Sequence, residues 1–219
     1  MTRTYTGKVT VGGTPDFREL PHLIITKVAV GPMSNNAYVL RCRHTDEQVL
    51  VDAANDAATL IEVVGAAGLA AVVTTHRHGD HWQALADVVA ATGARTIAGA
   101  EDAEEIGVPI DTVVTDGEEI AVGRSRLQVI HLVGHTPGSI ALLYDDPDGM
   151  PHLFTGDSLF PGGVGKTWSH DDFASLIDDV ERKIFDRLPD ETWFYPGHGD
   201  DSTLGDERPH LAEWRARGW

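Results

Sequence analysis

Thr75-His76-Arg77-His78-Gly79-Asp80-His81 is the decisive stretch of this chain, because its density of metal-binding side chains indicates the chemistry before the fold is known. It follows an apolar run, residues 70–74, that is typical of a buried strand, and it holds three imidazoles and one carboxylate within six residues. Imidazole nitrogen and carboxylate oxygen are the usual ligands of zinc and of related hydrolytic metals. Because a catalytic ion draws its ligands from several segments, we expect further ligands elsewhere in the chain.

Three more strand-like runs, at residues 127–133, 152–155 and 192–195, each precede a residue that can bind a metal. Strands that lie side by side in one sheet deliver their end residues to one edge, and neighbouring glycines let the backbones approach closely there. We therefore expect a set of candidate ligands to converge: His76, His78, Asp80, His81, His135, Asp157 and His198.

This set is too large for one tetrahedral ion and suits two. Since alternate residues of an extended turn face the same way, the first two histidines of the stretch are expected to share one ion with His135, while Asp80 and His81 share a second with His198. Asp157 would bridge them. The predicted cofactor is a pair of divalent ions, with zinc expected and iron or manganese as alternatives. Such a pair generates a bridging hydroxide nucleophile, which Asp80 would orient as a catalytic residue.

The order His-x-His-x-Asp-His over residues 76–81, followed by His135, Asp157 and His198, resembles the ligand order of the metallo-β-lactamase-fold hydrolases. The resemblance runs from about Asn35 to His198. It implies an α/β fold, an αβ/βα four-layer sandwich with two sheets face to face, helices outside and the metals at one sheet edge. We expect a single domain over residues 1–219, without the C-terminal helical domain of the long type II glyoxalases.

Residues 156–160 and 163–168 together resemble the type II glyoxalases, which hydrolyse S-acylglutathione thioesters. That resemblance implies substrate contacts from Lys166 and Trp168. The predicted function is therefore a metal-dependent thioesterase similar to hydroxyacylglutathione hydrolase. The alternatives are a lactonase or another ester hydrolase of the same fold, or a persulfide dioxygenase that holds a single iron with two histidines and an aspartate.

Two other activities are disfavoured. The resemblance disfavours lactam hydrolysis, because β-lactamases of this fold usually lack the bridging aspartate, here Asp157, and some bind zinc through a cysteine near that position. The single cysteine, Cys42, instead lies early in a strand, where a buried thiol is expected. Residues 162–167 imitate a phosphate-binding loop, but Phe160 occupies the place of its first glycine. The next helix is expected later, with Ser169 or His170 as its N-cap.

Several polar residues near the candidate ligands receive structural interpretations. Ser139 and Ser158 are expected to hydrogen-bond around the ligands rather than attack the substrate, and Trp82 to line the groove or to pack at a helix start. The remaining histidines are expected away from the metals, His131 and His152 in strands and the others on the surface: His22, His44, His170 and His210.

Composition limits the class of partner. The formal net charge of −17 argues against nucleic acid, and the acidic runs 101–105 and 145–148 are interpreted as solvated surface. No run approaches the roughly 20 apolar residues that cross a bilayer, no signal-type segment opens the chain, and a single cysteine fits a reducing compartment. We expect a cytoplasmic enzyme that acts on a small thioester or ester, without a membrane or nucleic-acid partner. Its oligomeric state stays open.

Patterning predicts an alternation of strands and helices. Strands are expected at Tyr5–Val11, Leu23–Val30, Ala37–Arg43, Gln48–Val51, Val72–Thr74, Thr96–Ala98, Leu127–Leu132, Ala141–Tyr144, Leu153–Thr155 and Trp193–Tyr195. Helices are expected at Asp56–Ala67, Trp82–Thr92, Glu101–Ile106, Asp171–Phe185 and Pro209–Trp214.

Overall fold

Two β-sheets form the centre of the computed structural model, which describes residues 4–218. The first sheet has seven strands in sequential order: β1 Asp16–Glu19, β2 Leu23–Val30, β3 Asn35–Cys42, β4 Gln48–Val51, β5 Ala71–Thr74, β6 Arg95–Gly99 and β7 Thr112–Val114. The second has six, which in spatial order are β15 Ser202–Thr203, β14 Trp193–Pro196, β11 His152–Gly156, β10 Ile140–Tyr144, β9 Ser125–His131 and β8 Glu119–Val122. A short hairpin pairs β12 Leu159–Phe160 with β13 Gly163–Val164.

Helices connect the strands and cover the outer faces of the sheets. They are α1 Ala57–Val64, α2 Leu85–Thr92, α3 His170–Val180, α4 Leu204–Glu207 and α5 Leu211–Arg217. Strands β1 to β4 are antiparallel, whereas β4 to β7 run parallel, so crossover connections such as α1 and α2 are required between them. Beyond α3 the chain continues as one π-helical turn, Glu181–Phe185.

Three apolar clusters hold four layers together. One lies between the sheets and contains inward-facing residues of both, such as Leu40 and Phe154. A second packs α1 and α2 on the outer face of the first sheet, and a third packs α3 and α5 on the second. This order of helix, sheet, sheet and helix confirms the predicted αβ/βα sandwich. Within the described residues, no helix has the length and apolar character that crossing a membrane requires.

The predicted strand Tyr5–Val11 is wrong. Gly7 has a positive φ of 72°, and the buried carboxylate of Asp16 accepts hydrogen bonds from the backbone N–H groups of Thr6 and Gly7. These donors are therefore not available to a strand ladder. The first strand is instead β1, and the short strands β7, β8, β12, β13 and β15 were likewise not predicted.

Helix boundaries differ from the pattern in several places, and α5 covers Leu211–Arg217 rather than the predicted Pro209–Trp214. The helix predicted from Trp82 begins at Leu85, because a 3₁₀ turn over Gly79–His81 first delivers the acidic and imidazole side chains of the decisive stretch. The helix predicted at Glu101–Ile106 is only a 3₁₀ turn, Ala103–Glu105. The predicted cap is confirmed, since Ser169 Oγ accepts a hydrogen bond from Asp172 N at 3.1 Å.

Two acids interpreted as solvated are buried. Asp102 has no exposed surface, and Asp146 is 5% exposed. Asp102 accepts hydrogen bonds from the backbone N–H groups of Arg77 and Gly138, so its carboxylate is satisfied by two loops that meet only in the folded chain. Sequence patterning assigned these acids by local charge density, which carries no information about such contacts.

Candidate metal centre

The ends of several strands meet at one end of the sandwich. Strand β5 leads into His76, β9 into the loop with His135, β11 into Asp157 and β14 into His198. Backbone hydrogen bonds tie the two sheets together there, because Asn36 N donates to Gly197 O at 2.7 Å and Ile140 N donates to Thr75 O at 2.9 Å. The seven predicted ligand residues are thereby brought into one cluster.

Three imidazoles form the first group of this centre. His78 Nδ1 lies 2.9 Å from His135 Nε2, and His135 Nε2 lies 3.3 Å from His76 Nε2. One nitrogen atom of each ring lies within 4.8 Å of the others, so the three can surround one metal ion. His76 and His135 are buried and His78 is half-buried, so the group opens to solvent on one side.

Asp80, His81 and His198 form the second group. Asp80 Oδ2 lies 3.3 Å from His198 Nε2 and 3.5 Å from His81 Nε2. Asp157 lies between the two groups. Its Oδ1 is 3.4 Å from His81 Nε2, while its Oδ2 is 3.6 Å from His198 Nε2 and 3.8 Å from His135 Nε2.

The donor set fits divalent cations. His81 Nε2 and Asp157 Oδ1 are buried and make no hydrogen bond in the described chain, although each points at the other groups of the centre. Buried polar atoms are normally satisfied, so a pair left without partners indicates a bound species. Nitrogen and carboxylate oxygen together suit zinc, iron and manganese better than magnesium or calcium, which prefer oxygen alone.

The pKa values of the imidazoles shift in different directions in the two groups. Burial, together with neighbouring imidazoles, holds the pKa of His76 well below its usual range, and burial also lowers the pKa of His78 and His135. Burial opposes the charged form of His81 as well, but the carboxylates of Asp52 and Asp157 outweigh it and raise the pKa of that ring. The first group therefore offers neutral imidazoles to a metal ion. The second group favours a protonated imidazole, and a metal ion that binds there displaces the ring proton.

The model of the Metallo-beta-lactamase superfamily matches residues 30–198 of this chain. That span holds all seven residues of the cluster. The chain belongs to the metallo-beta-lactamase superfamily. It has the fold of this superfamily, whose members bind divalent metals, and its histidine and aspartate clusters have the composition to hold them.

Similar proteins carry more specific names. A hydroxyacylglutathione hydrolase of Fuscovulum blasticum is 35% identical over 75% of this chain and 62% of its own length. The chain spans 62 to 66% of the length of three relatives with that name. Among solved structures, ETHE1 from Myxococcus xanthus is 28% identical, with a TM-score of 0.77 over 88% of this chain and 84% of that one. TTHA1623 in a di-iron-bound form is 29% identical, with a TM-score of 0.68 over 83% of this chain and 96% of that one.

Hydrogen bonds orient the imidazoles of this superfamily member. His81 Nδ1 donates to Asp52 Oδ2 at 2.8 Å, His135 Nδ1 to the carbonyl oxygen of Lys166 at 2.7 Å, and His198 Nδ1 to that of Met33 at 3.1 Å. Each bond fixes the tautomer whose Nε2 lone pair faces the centre. Asn35 Nδ2 similarly donates to Asp80 Oδ2 at 2.8 Å.

Sequence reasoning missed Asp52 and Asn35. Asp52 follows β4 directly and is 2% exposed, and it also accepts from Thr75 N and Thr75 Oγ1 at 2.7 and 2.8 Å. Its backbone φ of 59° is rare for a residue with a side chain and is typical of a constrained functional position. A carboxylate at the end of a buried strand was the available signal, the same signal that identified Asp157.

Two glycines make room for Asp157. A Cβ on Gly197 would lie 2.2 Å from Asp157 Oδ1, and one on Gly165 would lie 1.7 Å from the carbonyl oxygen of Asp157. Side chains at either position would push the shared carboxylate away from the imidazoles. Glycine beside the candidate ligands is therefore a steric requirement, as the sequence pattern predicted.

The predicted substrate residues lie at the open side of the centre. Lys166 and Trp168 are exposed, Lys166 Nζ lies 4.5 Å from the Trp168 ring, and that ring lies 6.4 Å from the His78 ring. Trp82 packs on the helical face of the first sheet and donates to Arg77 O, which favours packing over a groove wall.

The other polar residues lie away from the ligand nitrogens. Ser139 Oγ bonds to Thr136 Oγ1, and the buried Ser158 Oγ makes no hydrogen bond in the described chain. The hydrogen bonds expected from these hydroxyls to the candidate ligands are therefore not observed. His152 is buried beside Tyr195, which confirms its core position, and Cys42 is buried as expected. His131 is partly buried, and its Nε2 donates to Pro137 O.

Proposed function

We propose that this protein is a dinuclear metal-dependent thioesterase of the glyoxalase II type, which cleaves S-acyl thiol conjugates. The observation that carries the proposal is the position of Asp157, whose two carboxylate oxygens lie within 3.4 to 3.8 Å of imidazoles from both ligand groups. The di-iron form of TTHA1623, a protein similar to this chain, supports a pair of ions at this centre.

The ligands divide as the distances suggest. His76, His78 and His135 would hold one ion, Asp80, His81 and His198 the other, and Asp157 would contact both. When bound, two such cations supply a water of lowered pKa and a Lewis acid for the carbonyl oxygen. Asp80 is fixed by the amide of Asn35 and is 19% exposed at its side chain, so it can accept a hydrogen bond from that water and orient it.

A thiol leaving group suits the chemistry of this site. Within the part of the chain that the structure describes, the carboxylates at the centre all act as hydrogen-bond acceptors or candidate ligands: Asp52, Asp80 and Asp157. None is therefore positioned to protonate a leaving group. Since a thiol has a pKa near 8.5, a thiolate departs without the strong general acid that an alkoxide or an amine requires. Relatives named hydroxyacylglutathione hydrolase support the same substrate class.

The rim of the centre offers contacts for the thiol-bearing part. Trp168 is 67% exposed beside His78, and Met33, whose carbonyl oxygen bonds His198, is 59% exposed. Both apolar side chains therefore lie next to candidate ligands, where a substrate bound at the centre would contact them. Lys166 adds a cation next to the Trp168 ring, which suits a carboxylate on the thiol carrier.

The test is a panel of thioesters that share one acyl group and vary the thiol carrier, run beside lactones and simple esters. Metal content per chain is measured on the same preparations. We expect two ions of the zinc, iron or manganese class and the fastest turnover with thioesters. A single iron with oxygen consumption would instead identify a dioxygenase, and preferred lactone turnover would identify a lactonase.

Variants separate the metal centre from the rim. Asp157→Ala should abolish turnover and remove one ion, whereas the exposed-histidine control His170→Ala should retain both. Trp168→Ala should raise KM for the preferred thiol carrier with little change in kcat, because the ring supplies no ligand atom to the metal centre. Full activity in Asp157→Ala would contradict the proposal.

A further inference from the structure

A second histidine cluster lies at the opposite end of the sandwich. His22 precedes β2 and His44 follows β3, whereas the metal centre adjoins the other ends of these two strands. Both histidines line a cavity of about 550 Å³ at this end of the molecule, with Glu119, Asp145 and Arg124 among the other lining residues. Nothing in the proposed reaction uses this cavity.

The two imidazoles approach each other as those of the metal centre do. His22 Nδ1 lies 2.9 Å from His44 Nε2, the same separation as between His78 Nδ1 and His135 Nε2. The two rings are stacked, with centroids 5.2 Å apart and planes at 29°. Ligands about 2.0 to 2.1 Å from one zinc ion in tetrahedral geometry lie roughly 3.3 Å apart, so a small relaxation admits an ion between them.

A carboxylate fixes the tautomer of this pair. His22 Nε2 lies 2.7 Å from Asp148 Oδ2, and because a carboxylate only accepts, the ring proton is on Nε2. The lone pair of His22 Nδ1 is thereby directed at His44. Carboxylate, histidine and metal in this order form the arrangement that orients metal-bound imidazoles in proteins, and Asp52 with His81 has the same arrangement in the metal centre.

We propose that His22 and His44 form a second transition-metal site, with Asp148 as the residue that orients His22. The ion expected at this site is a cation of borderline softness such as Zn²⁺, for which imidazole is a preferred donor. The side chains of His22 and Asp148 are 32% and 60% exposed, so water completes the coordination. Since Asp148 lies between β10 and β11, the site links a loop of the second sheet to two loops of the first.

The test is equilibrium dialysis of the metal-loaded protein against a series of free Zn²⁺ concentrations, with zinc per chain measured at each. The wild type should take up one ion more than the double variant His22→Ala/His44→Ala. Asp148→Asn should weaken this uptake by about tenfold, as removal of an orienting carboxylate does. His210→Ala is the matched control, because His210 is an exposed histidine near a carboxylate, Glu213 at 3.7 Å.

Two further measurements keep the outcome decisive. Thioester turnover of the double variant should equal that of the wild type, which shows that the fold and the metal centre are intact. Mg²⁺, which prefers oxygen ligands, should give no difference between the variants. Equal zinc uptake by the wild type and the double variant at every concentration would overturn the proposal and leave the pair as a hydrogen bond between two imidazoles. Because the comparison counts an additional ion, it holds whatever reaction the other centre catalyses.

Discussion

Asp52→Asn tests how the fold orients one candidate ligand. The carboxylate accepts from His81 Nδ1 and Thr75 Oγ1 at Oδ2 and from Thr75 N at Oδ1. An amide has one acceptor and one donor atom, so either orientation makes two donors face each other. The backbone N–H of Thr75 cannot change its role, whereas the imidazole of His81 can switch tautomers. The amide nitrogen should therefore face His81.

The switch moves the ring proton of His81 to Nε2. That atom lies 3.5 Å from Asp80 Oδ2 and 3.4 Å from Asp157 Oδ1, within the space of the second ion. A protonated nitrogen cannot bind a metal, so the ion requires the less favourable tautomer. Loss of an orienting carboxylate typically weakens metal affinity by about 10- to 100-fold, which corresponds to about 1.4 to 2.7 kcal/mol. The backbone of Asp52 suits the variant, since asparagine tolerates its φ of 59°.

The assay is the metal content of Asp52→Asn after dialysis against graded chelator, together with kcat for the preferred thioester. We expect one ion to be lost at a chelator concentration that leaves the wild type with two. Asp111→Asn is the control, because Asp111 accepts from Thr96 N and Thr96 Oγ1 at 2.9 and 3.2 Å without touching an imidazole. Wild-type affinity for both ions in Asp52→Asn would refute the reasoning.

Three further perturbations follow from other contacts. Gly197→Ala places a Cβ 2.2 Å from the carboxylate of Asp157 and should lower kcat about 100-fold. Gly79→Ala is the control and should keep activity, because nothing lies within 4 Å of its Cβ. Equal kcat values in the two variants would contradict the steric argument. Lys27→Met leaves a fully buried carboxylate without its cation and should lower the free energy of unfolding in urea by about 3 to 5 kcal/mol, whereas Lys8→Met, from an exposed ion pair, should give no measurable change. Burial lowers the pKa of His152 to about 3, so the unfolded chain binds more protons than the folded one between pH 6.5 and 3, and stability falls as pH falls through this window. From pH 8 to pH 5 the wild type should lose about 2 kcal/mol more than His152→Asn, and parallel pH profiles would rule out this contribution.

Patterning was sufficient for an α/β fold and for the convergence of the candidate ligands, whereas the four-layer sandwich was implied by the family resemblance. The convergence follows from local signals, because a buried strand is visible as an apolar run and the residue after it is delivered to a sheet edge. His135 and His198 are 63 residues apart in the chain, yet each follows such a run, and the structure brings both within 4 Å of Asp157. The family resemblance adds the roles of these residues to what patterning alone predicts.

The supporting contacts were not predictable in the same way. Asn35 reaches Asp80 from the first residue of β3, and Asp102 reaches Arg77 across 25 residues. Neither residue stands out in the sequence, because its partner is determined by tertiary packing rather than by spacing. The prediction of a strand at Tyr5–Val11 was wrong for the same reason, because the carboxylate that accepts hydrogen bonds from its backbone N–H groups belongs to Asp16.

Buried acids explain how loops can hold ligand residues in fixed positions. Two loops of the centre are anchored by carboxylates from distant segments, and a third by a distant lysine. Asp52 binds the start of the decisive stretch, Asp102 its middle and Asp179 the backbone N–H of Val133, near His135. Lys27 is held by Asp201 at 2.6 Å and donates to the carbonyl oxygen of Gly199, the residue after His198. Part of the net charge of −17 is therefore internal, and it acts on the backbone of the ligand loops rather than on solvent. Loops anchored in this way should keep the imidazoles in place before any cation binds, so metal uptake requires little reorganisation of the chain.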